Sequence, residues 1–364
     1  MVKNPCVFCG FRKVSNLVLP KFRERLYSKL LATITAHLNG IASSSVEIAH
    51  DELFVEELIR KWGDHKVVLA KIKGDIMRFS PEINVYNLGN DLWTKNIIMS
   101  SQIKTRLLTI TSKFVERERR TGEVINRWRM FQIIAMLQLS GTSVYEEFEA
   151  LFLRESADFY RVEAQNLIEC CDCGDYIDKV TKRLDEESKR AWDCNMGSNT
   201  KKMITSVVKK EMIEDQMLRL INMENFGLVH MLCNDKYVDL CKMYHLFSRV
   251  NVGLSEFREV MTSHIRETGK GLVTGSEMLN DPVEFVNRLL DLKDKYDKII
   301  EVSFKKCTPL QKILTSSFKY FINLNQRSPE YISLFVDDKF RKGRSEEPRL
   351  NSSHSGESRM PSSA

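Results

Sequence analysis

Cysteines are the side chains of this sequence whose spacing comes nearest to chemistry. Cys6 and Cys9 have the CxxC spacing of half a zinc site, and Cys170, Cys171 and Cys173 form a second short run. A structural zinc needs four ligands that converge at about 2.3 Å from the metal. Because the two groups fall in segments that we assign below to different parts of the chain, we do not expect them to meet. The sequence therefore predicts no metal site.

Other residue types with catalytic potential lack the neighbours that catalysis requires. The seven histidines form no HExxH motif, and no Ser or Cys lies in the context of a nucleophile elbow. The segment GKGLVTG at 269–275 has the small residues of a phosphate loop without the GxxxxGK[ST] order. Acidic pairs such as Glu146 and Glu147 fall on polar helix faces. We predict a protein without catalytic residues or a bound cofactor, and not an enzyme.

Two basic runs raise a nucleic-acid alternative. ERERRTG at 116–122 and VVKKEM at 207–212 interleave Arg and Lys with Glu. The glutamates cancel much of the field that a phosphate backbone would experience. The formal net charge of +6 is small for 364 residues, and no motif that reads DNA or RNA accompanies the runs. A nucleic-acid-binding helical protein is the least favoured alternative, and we expect no nucleic-acid partner.

The composition is that of a soluble protein with a sizeable core. Hydrophobic residues make up 43% of the chain and charged residues 29%. No apolar run approaches the ~20 residues that span a bilayer, and MVKNPCVFCGFRK lacks the apolar core of a signal peptide. The nine cysteines, an odd number, fit a reducing compartment better than a disulfide framework. We expect a protein of the cytoplasm and nucleus, with no membrane partner.

Helical periodicity dominates from Pro20 onward and predicts an all-α fold. In FVNRLLDLKDKYDKII (285–300) apolar residues recur at spacings of three and four. Asp281 and Pro282 give this helix a start signal, with Asp281 as the N-cap and Pro282 at the first helical position. The same device recurs at Thr308, followed by another proline. Further predicted long helices cover 144–169, 198–222 and 285–306.

A five-residue pattern occurs three times, as FVEEL (54–58), YIDKV (176–180) and FVNRL (285–289). Each copy has an aromatic, a β-branched residue, an acid or amide, any residue, and then Leu or Val. Each copy also opens a long charged helix. The spacing of roughly 110–120 residues is that of a multi-helix unit. Since no Pro/Gly-rich linker interrupts the chain, the pattern favours an elongated solenoid of stacked helical units.

Several longer strings resemble the N-terminal arm of the cullin family. They are MENFGLVHML (223–232), YVDLCKMYHLFSRVNVGL (237–254), DPVEFVNRLLDLKDKYDKII (281–300) and FINLNQRSPEYISLFVDDKFRKG (321–343). ERRTGEVINR, SVYEEFEALFLRESADFYRVEAQNLIE and VYNLG are similar to the cullin-three-like class, which recruits BTB-domain adaptors. ECCDCGDYIDK is similar to plant members. The resemblance runs from about Leu17 to Gly343.

The resemblance implies an elongated solenoid of three five-helix cullin repeats. We assign an irregular N-terminus to 1–14, repeats to 15–121, 122–234 and 235–343, and a tail to 344–364. The first repeat is expected to lack its first helix and part of its second. Within the tail, RSEE, RLNSSHS and SRMPSSA resemble translated sequencing-adapter oligonucleotides. We expect an unstructured tail, either a sequence artefact or a natural Ser-rich segment.

The function that the resemblance implies is a non-catalytic scaffold arm of a cullin-RING E3 ubiquitin ligase, in ubiquitin-dependent protein degradation. In the family the arm binds a substrate adaptor and holds it at a fixed distance from the ubiquitin-charged E2. A globular C-terminal half binds the RING protein and carries the lysine that accepts Nedd8. Because no such half follows residue 343, we expect neither partner on this chain. The alternative is a helical tethering or scaffold solenoid unrelated to ubiquitin, which shares the periodicity but not the quoted strings.

Tyr86 in VYNLG matches an aromatic with which the family contacts its BTB adaptors. The resemblance therefore implies an adaptor-binding site at Tyr86 and its neighbours Val85 and Asn87. A tyrosine packed between repeats is the competing interpretation. In the family, the second helix of the first repeat forms the other part of this site. In this chain the resemblance begins partway along that helix, and Pro20 suits a helix interior poorly. We expect weaker adaptor binding than in a full-length relative, because a hot spot depends on a complete surrounding ring.

Overall fold

The computed structural model describes residues 7–46, 50–76, 84–123, 126–139, 142–275 and 281–346. Within these ranges the regular elements are helices, and no strand occurs in them. The predicted all-α fold class is therefore confirmed for the described part of the chain.

Packing divides the chain into two compact units. The first unit contains the described residues of Met1–Asn166 and Val180–Met212, and the second unit those of Leu167–Lys179 and Ile213–Ala364. These limits do not coincide with the repeat boundaries predicted from sequence, which stay a prediction.

Among the described residues, eight α-helices lie wholly or partly in the first unit. Two of them, α6 and α7, also have residues in the second unit. They are α1 (Val7–Val46), α2 (Asp51–Ile76), α3 (Val85–Trp93), α4 (Ser101–Thr121), α5 (Arg127–Leu139), α6 (Thr142–Cys170), α7 (Cys173–Asp193) and α8 (Ser198–Lys209). Two π-helical turns, Thr94–Ile98 and Lys210–Glu214, follow α3 and α8.

Seven further α-helices belong to the second unit. They are α9 (Met217–Ile221), α10 (Leu228–Cys233), α11 (Tyr237–Phe247), α12 (Gly253–Thr274), α13 (Pro282–Phe304), α14 (Thr308–Ile322) and α15 (Ser328–Glu346).

The three copies of the five-residue pattern occupy the same helical register. Phe54, Tyr176 and Phe285 are each the fourth residue of their helix, α2, α7 and α13, and each is fully buried. The β-branched residue that follows and the aliphatic residue three positions later are also buried in every copy: Val55 and Leu58, Ile177 and Val180, Val286 and Leu289. The prediction that each copy opens a long helix is confirmed.

The start of α13 follows the predicted capping chemistry. The Asp281 side chain accepts hydrogen bonds from the backbone N–H groups of Val283 and Glu284, at 2.9 and 3.2 Å. Pro282 occupies the first turn, where its missing N–H leaves no helical acceptor unpaired. The parallel prediction for α14 is wrong by one residue, because Cys307 is the N-cap and Thr308 is already helical.

Both ends of the chain are more helical than predicted. The helix α1 begins at Val7, so the irregular N-terminus assigned to 1–14 is wrong from residue 7 onward. Pro20 lies inside α1; a proline removes a single backbone hydrogen bond, and the bonds on either side maintain the helix. At the other end α15 continues to Glu346, which corrects the unstructured assignment of 344–346. Residues 347–364 lie outside the described ranges.

Ion pairs stabilise α15 in the turn before Gly343. Asp337 and Arg341, and then Asp338 and Lys342, are paired at i,i+4 spacing with 2.8 Å contacts. Such pairs stabilise a helix at its solvent-exposed end.

The predicted long helix over 198–222 is interrupted. It consists of α8, the π turn Lys210–Glu214 and the short helix α9. Within the π turn Glu211 is buried, and both of its carboxylate oxygens accept hydrogen bonds from Arg161 at 3.1 Å. Since π turns insert an extra residue and redirect the side chains that follow, the sequence periodicity alone does not reveal the break.

Aromatic side chains form the centre of the second unit. Phe304 of α13 lies 5.1 Å from the ring of Tyr244 on α11 and 5.6 Å from that of Phe257 on α12. Phe285 at the start of α13 contacts Tyr331 of α15 with ring centroids 5.2 Å apart. One helix thus contacts three others through aromatic rings, of which Tyr244 is half-buried and the other four are buried. Each ring contributes a large apolar area.

Replacement of Phe285 by Ala is expected to lower the free energy of unfolding of the second unit by about 3–5 kcal/mol, because it leaves a cavity in the core. Urea titration followed by far-UV circular dichroism measures this loss. Val302 on the same helix is exposed, and Val302→Ala should change the free energy by less than about 0.5 kcal/mol. Equal effects of the two variants would contradict the assignment of Phe285 to the core.

Candidate functional site

The short helix α3 carries the predicted adaptor-binding residues. Its start and its orientation follow from local sequence features. Asn84 is its N-cap, and the Asn84 side chain accepts a hydrogen bond from the backbone N–H of Asn87 at 3.1 Å. Val85, Leu92 and Trp93 are buried in one helical stripe. The cap determines where the helix begins, and the stripe determines which face packs on the core.

The structure places the three predicted site residues in three different environments. Val85 is 1% exposed and belongs to the hydrophobic core of the first unit. Tyr86 is half-buried and packs against the edge of that core, and Asn87 is exposed. Tyr86 and Asn87 can therefore meet a partner, whereas Val85 can only support them from below. Their role in adaptor binding stays a prediction.

Tyr86 is held at the end of α2. The Lys73 ammonium lies 4.8 Å from the centroid of the Tyr86 ring. A cation over an aromatic face is attracted by the ring quadrupole, so one face of the ring is occupied by Lys73. Tyr86 thus contacts α2 of the same unit and keeps part of its surface accessible, whereas both interpretations made from sequence, adaptor binding and packing between repeats, stay predictions.

An aromatic cluster between α2 and α3 supports this position. Trp62 and Trp93 are both buried, with ring centroids 4.9 Å apart, and His65 lies 5.2 Å from Trp93. The Nε2–H of His65 donates to the carbonyl oxygen of Gly89 at 3.1 Å. Burial lowers the pKa of His65, so the ring stays neutral at neutral pH. The sequence analysis did not identify this cluster, although the two tryptophans and Gly89 are visible in the sequence.

Gly89 allows α3 to approach α2 closely. A Cβ added at this position would overlap with the side chain of Leu69, which is fully buried. The absence of a side chain at Gly89 therefore sets the distance between the two helices that carry Lys73 and Tyr86.

Apolar residues on one face of α1 become more exposed toward the N-terminus of the helix. Leu38 is 0% and Ile34 6% exposed, whereas Leu31 and Tyr27 are 37% and 41% exposed. Leu31 and Tyr27 continue the helical spacing of Leu38 and Ile34 beyond the part of the core that buries those two residues. Since isolated exposed apolar residues are common on protein surfaces, the informative feature is that these two continue a buried stripe.

The exposed part of α1 lies at the same end of the first unit as Tyr86. Lys61 of α2 donates to Ser44 of α1 at 2.6 Å, and His37 lies near enough to His65 to affect its pKa. The two helices are therefore antiparallel. Residues of α1 that precede His37 approach the end of α2, where Lys73 contacts Tyr86.

Replacement of Gly89 by Ala should destabilise the first unit by about 1–3 kcal/mol, because the added methyl group overfills the α2–α3 contact. Gly63→Ala is the matched control, since Gly63 lies inside α2 with nothing within 4 Å of an added Cβ. There the substitution should be neutral or stabilise by about 0.5–1 kcal/mol. Thermal unfolding of both variants checks the pair, and a stable Gly89→Ala protein would show that α3 does not need the close approach.

Glutamates neutralise much of the charge of ERERRTG, the first of the two basic runs that suggested nucleic acid. In ERERRTG, Glu118 and Arg119 are buried, and Arg119 pairs with buried Glu187 at 2.8 Å. Arg120 pairs with Glu116 of the same helix at 2.8 Å. In VVKKEM the buried Glu211 pairs with Arg161. Guanidinium groups that face buried carboxylates are not available to phosphates, so the arrangement argues against a nucleic-acid site.

Glu187 is the centre of a buried charge network in the first unit. Arg119, Arg190 and the hydroxyl of Tyr160 all donate hydrogen bonds to its carboxylate. Arg190 also donates to Glu118 at 3.1 Å. Burial alone would raise the pKa of Glu187, but the two guanidinium groups outweigh it and lower the pKa to about 2. The network joins α4, α6 and α7.

Replacement of Glu187 by Gln should destabilise the first unit by about 3–5 kcal/mol at pH 7, because it leaves the buried Arg119 without its counter-charge and Arg190 with Glu118 alone. The pH dependence has a definite sign. A carboxyl whose pKa falls from the ordinary 4.5 to about 2 on folding stabilises the native state above pH 4.5. That contribution is lost as the pH falls toward 2.

Urea titrations of the wild type and of Glu187→Gln between pH 7 and pH 2.5 measure this contribution. The stability difference between them should shrink as the pH falls below 4.5. A difference that is constant over this range would show that Glu187 is not ionised in the folded protein. Exposed Glu301, which pairs with Lys306 on the surface, offers the control Glu301→Gln, with little expected effect at any pH.

The cysteine clusters do not form a metal site in the part of the chain that the structure describes. Cys173 is buried, Cys171 half-buried and Cys170 exposed. No group of three or more His, Cys, Asp or Glu side chains converges there on a position for a metal ion. Cys6 and the side chain of Cys9 lie outside the described residues.

Among the described helices, none combines the length and the apolar character needed to traverse a bilayer.

Comparison with known proteins agrees with the all-helical architecture. The family model of the cullin α-solenoid domain matches residues 10–357. Cullin-3A of Arabidopsis thaliana is 50% identical over 341 residues, and Cullin-3B of the same plant is 48% identical. Cullin-3 of Dictyostelium discoideum is 37% identical over 344 residues. Each alignment covers 92% of this chain.

The chain is thus an all-α protein of the cullin solenoid class. It belongs to the cullin family, and the resemblance to cullin-three-like and plant members is confirmed. The family match extends beyond the range 17–343 that the sequence strings had indicated. The chain spans about half the length of these relatives, 46% of each Arabidopsis protein and 44% of the Dictyostelium protein.

Proposed function

We propose that this chain is the adaptor-binding arm of a cullin-RING E3 ubiquitin ligase scaffold, and that a BTB-domain adaptor binds around Tyr86. The proposal is supported by the similarity to proteins named Cullin-3 from two plant genes and from Dictyostelium. Adaptor recruitment through a BTB domain is the trait of that class.

The observation that carries the proposal is the position of Tyr86. It is a half-buried aromatic at the rim of the first unit, held from below by the buried Val85 and from one side by Lys73. Aromatic side chains that are already ordered lose little conformational entropy when a partner binds, and tyrosine is enriched at interface hot spots. Asn87 adds an exposed amide beside the ring.

The surroundings of Tyr86 suit a protein partner rather than a small molecule. Tyr27 and Leu31 of α1 add exposed apolar side chains in the same unit. Lys73 and Asn87 add polar groups next to Tyr86. An apolar centre with a polar rim is the usual anatomy of a protein–protein interface.

The proposed mechanism is proximity without chemistry by the chain itself. A bound adaptor presents its substrate at a set distance from the ubiquitin-charged E2, which raises the effective concentration of substrate lysines at the thioester. The helices supply the necessary stiffness through their buried contacts, such as the aromatic contacts of α13.

We propose the cytoplasm and nucleus as the compartments, which the unpaired state of the seven described cysteines supports.

Tyr86→Ala should weaken the binding of a BTB domain from a plant adaptor by about 10–30-fold, as expected for a hot-spot aromatic. Isothermal titration calorimetry with the purified chain and the BTB domain measures the dissociation constants. Tyr320 of α14 is likewise partly exposed, at 48%, but belongs to the second unit. Tyr320→Ala is therefore the matched control and should bind the BTB domain like the wild type.

Two outcomes would overturn the proposal. If the wild-type chain, with its fold verified by circular dichroism, does not bind the BTB domain, the proposed adaptor class is wrong. If Tyr86→Ala and Tyr320→Ala lose equal affinity for the BTB domain, the binding site is not at Tyr86. A full-length relative measured in parallel tests the expectation of weaker binding by this chain.

A further inference from the structure

We infer that Cys171 is a reactive thiol that hydroperoxides oxidise to a sulfenic acid and that a small soluble thiol then caps as a mixed disulfide. The site lies at the turn between α6 and α7, within the second unit, and is independent of the proposed adaptor surface. The residues that form it are Cys171, its neighbour Cys170 and Lys179.

The contact that defines the site joins an ammonium group to a sulfur. The Nζ of Lys179, two turns into α7, donates to the Sγ of Cys171 at 2.9 Å. The same ammonium is close enough to Cys170 to interact with it electrostatically. A thiolate is the nucleophilic form of cysteine, and a neighbouring lysine favours that form. Cys171 is half-buried, so a small reagent can still reach the sulfur.

The other charges around the turn are acidic, which makes Lys179 decisive. Asp172 caps α7 and accepts a hydrogen bond from the backbone N–H of Asp175 at 2.8 Å. The nearby Asp178 is neutralised by Lys242 at 2.6 Å. The carboxylates of Asp172 and Asp175 oppose a thiolate at Cys171. The Lys179 ammonium is the cation in direct contact with the sulfur.

Neighbouring thiols are poorly placed to form a disulfide with Cys171. Cys170 is adjacent in sequence, and a trans peptide holds successive Cα atoms about 3.8 Å apart, less than the ~4.4 Å minimum of ordinary disulfides. Cys173 is fully buried, and burial raises the pKa of its thiol to about 12. It therefore stays protonated. The sulfenic acid at Cys171 is left for a thiol from solution.

The chemistry is balanced with hydrogen peroxide, the simplest hydroperoxide, as the oxidant. The Cys171 thiolate attacks the terminal peroxide oxygen, the O–O bond breaks, and the leaving hydroxide takes a proton from solvent to become water. Sulfur is oxidised, peroxide is reduced, and Lys179 keeps its proton throughout. A soluble thiol then displaces the sulfenic hydroxyl as a second water and forms the mixed disulfide, which an excess of thiol reverses.

The test is a competition among the cysteines of the full chain. The purified, reduced protein is treated with limiting iodoacetamide at pH 7, and the alkylation rate of each cysteine is determined by mass spectrometry with fragment-ion localisation. Cys241 of α11 is the internal control, because it is half-buried in the same unit. We expect Cys171 to react about tenfold faster than Cys241. After hydrogen peroxide treatment, dimedone should label Cys171, and added glutathione should replace that label.

Two lysine variants separate charge from packing. Lys179→Met should reduce the rate at Cys171 about tenfold and leave Cys241 unchanged, whereas Lys179→Arg should retain most of the rate. Thermal unfolding verifies that both variants are folded. Equal rates at Cys171 and Cys241 in the wild type would overturn the inference without any variant. An unchanged rate at Cys171 in a folded Lys179→Met protein would overturn the role of the lysine.

Discussion

Each helix of this chain has an apolar face that its own backbone cannot cover, and the structure depends on covering it. The clearest case is the aromatic residue at the fourth position of α2, α7 and α13. Phe54, Tyr176 and Phe285 differ in their neighbours but are all fully buried. Burial of such a ring stabilises by several times the net contribution of one hydrogen bond. The helices can therefore carry long charged faces without loss of the fold.

Rigidity at the candidate adaptor surface derives from the same constraint. Trp62, Trp93 and the neutral His65 fill the space between α2 and α3, and Gly89 lets the two helices approach. Tyr86 is ordered because the residues beneath it cannot move independently in a densely packed core. A scaffold that works by holding two proteins at a set distance requires this property of its binding end, since a mobile anchor would spread the positions that the adaptor can take.

Charge serves structure rather than ligand recognition in the first unit. The network around Glu187 places two arginines and a carboxylate in the interior, with the tyrosine hydroxyl of Tyr160 as a further donor. A buried ion pair contributes little net stability but makes wrong arrangements costly, since removal of one partner leaves an uncompensated charge. We interpret the network as a device that specifies how α4, α6 and α7 meet.

The sequence by itself determined the fold class, the family and the register of the repeated pattern, because apolar periodicity, capping residues and long strings are local properties. It also located α13 and its cap at Asp281. Only the tertiary structure decided that Val85 lies in the core while Tyr86 reaches the surface, that Glu118 and Arg119 face inward, and that Lys179 contacts Cys171. Each of these depends on residues far apart in the chain, or on which side of a helix its neighbours cover. Local spacing cannot record that information, and for the same reason the π turn after α8, whose buried Glu211 pairs with Arg161, was not predicted.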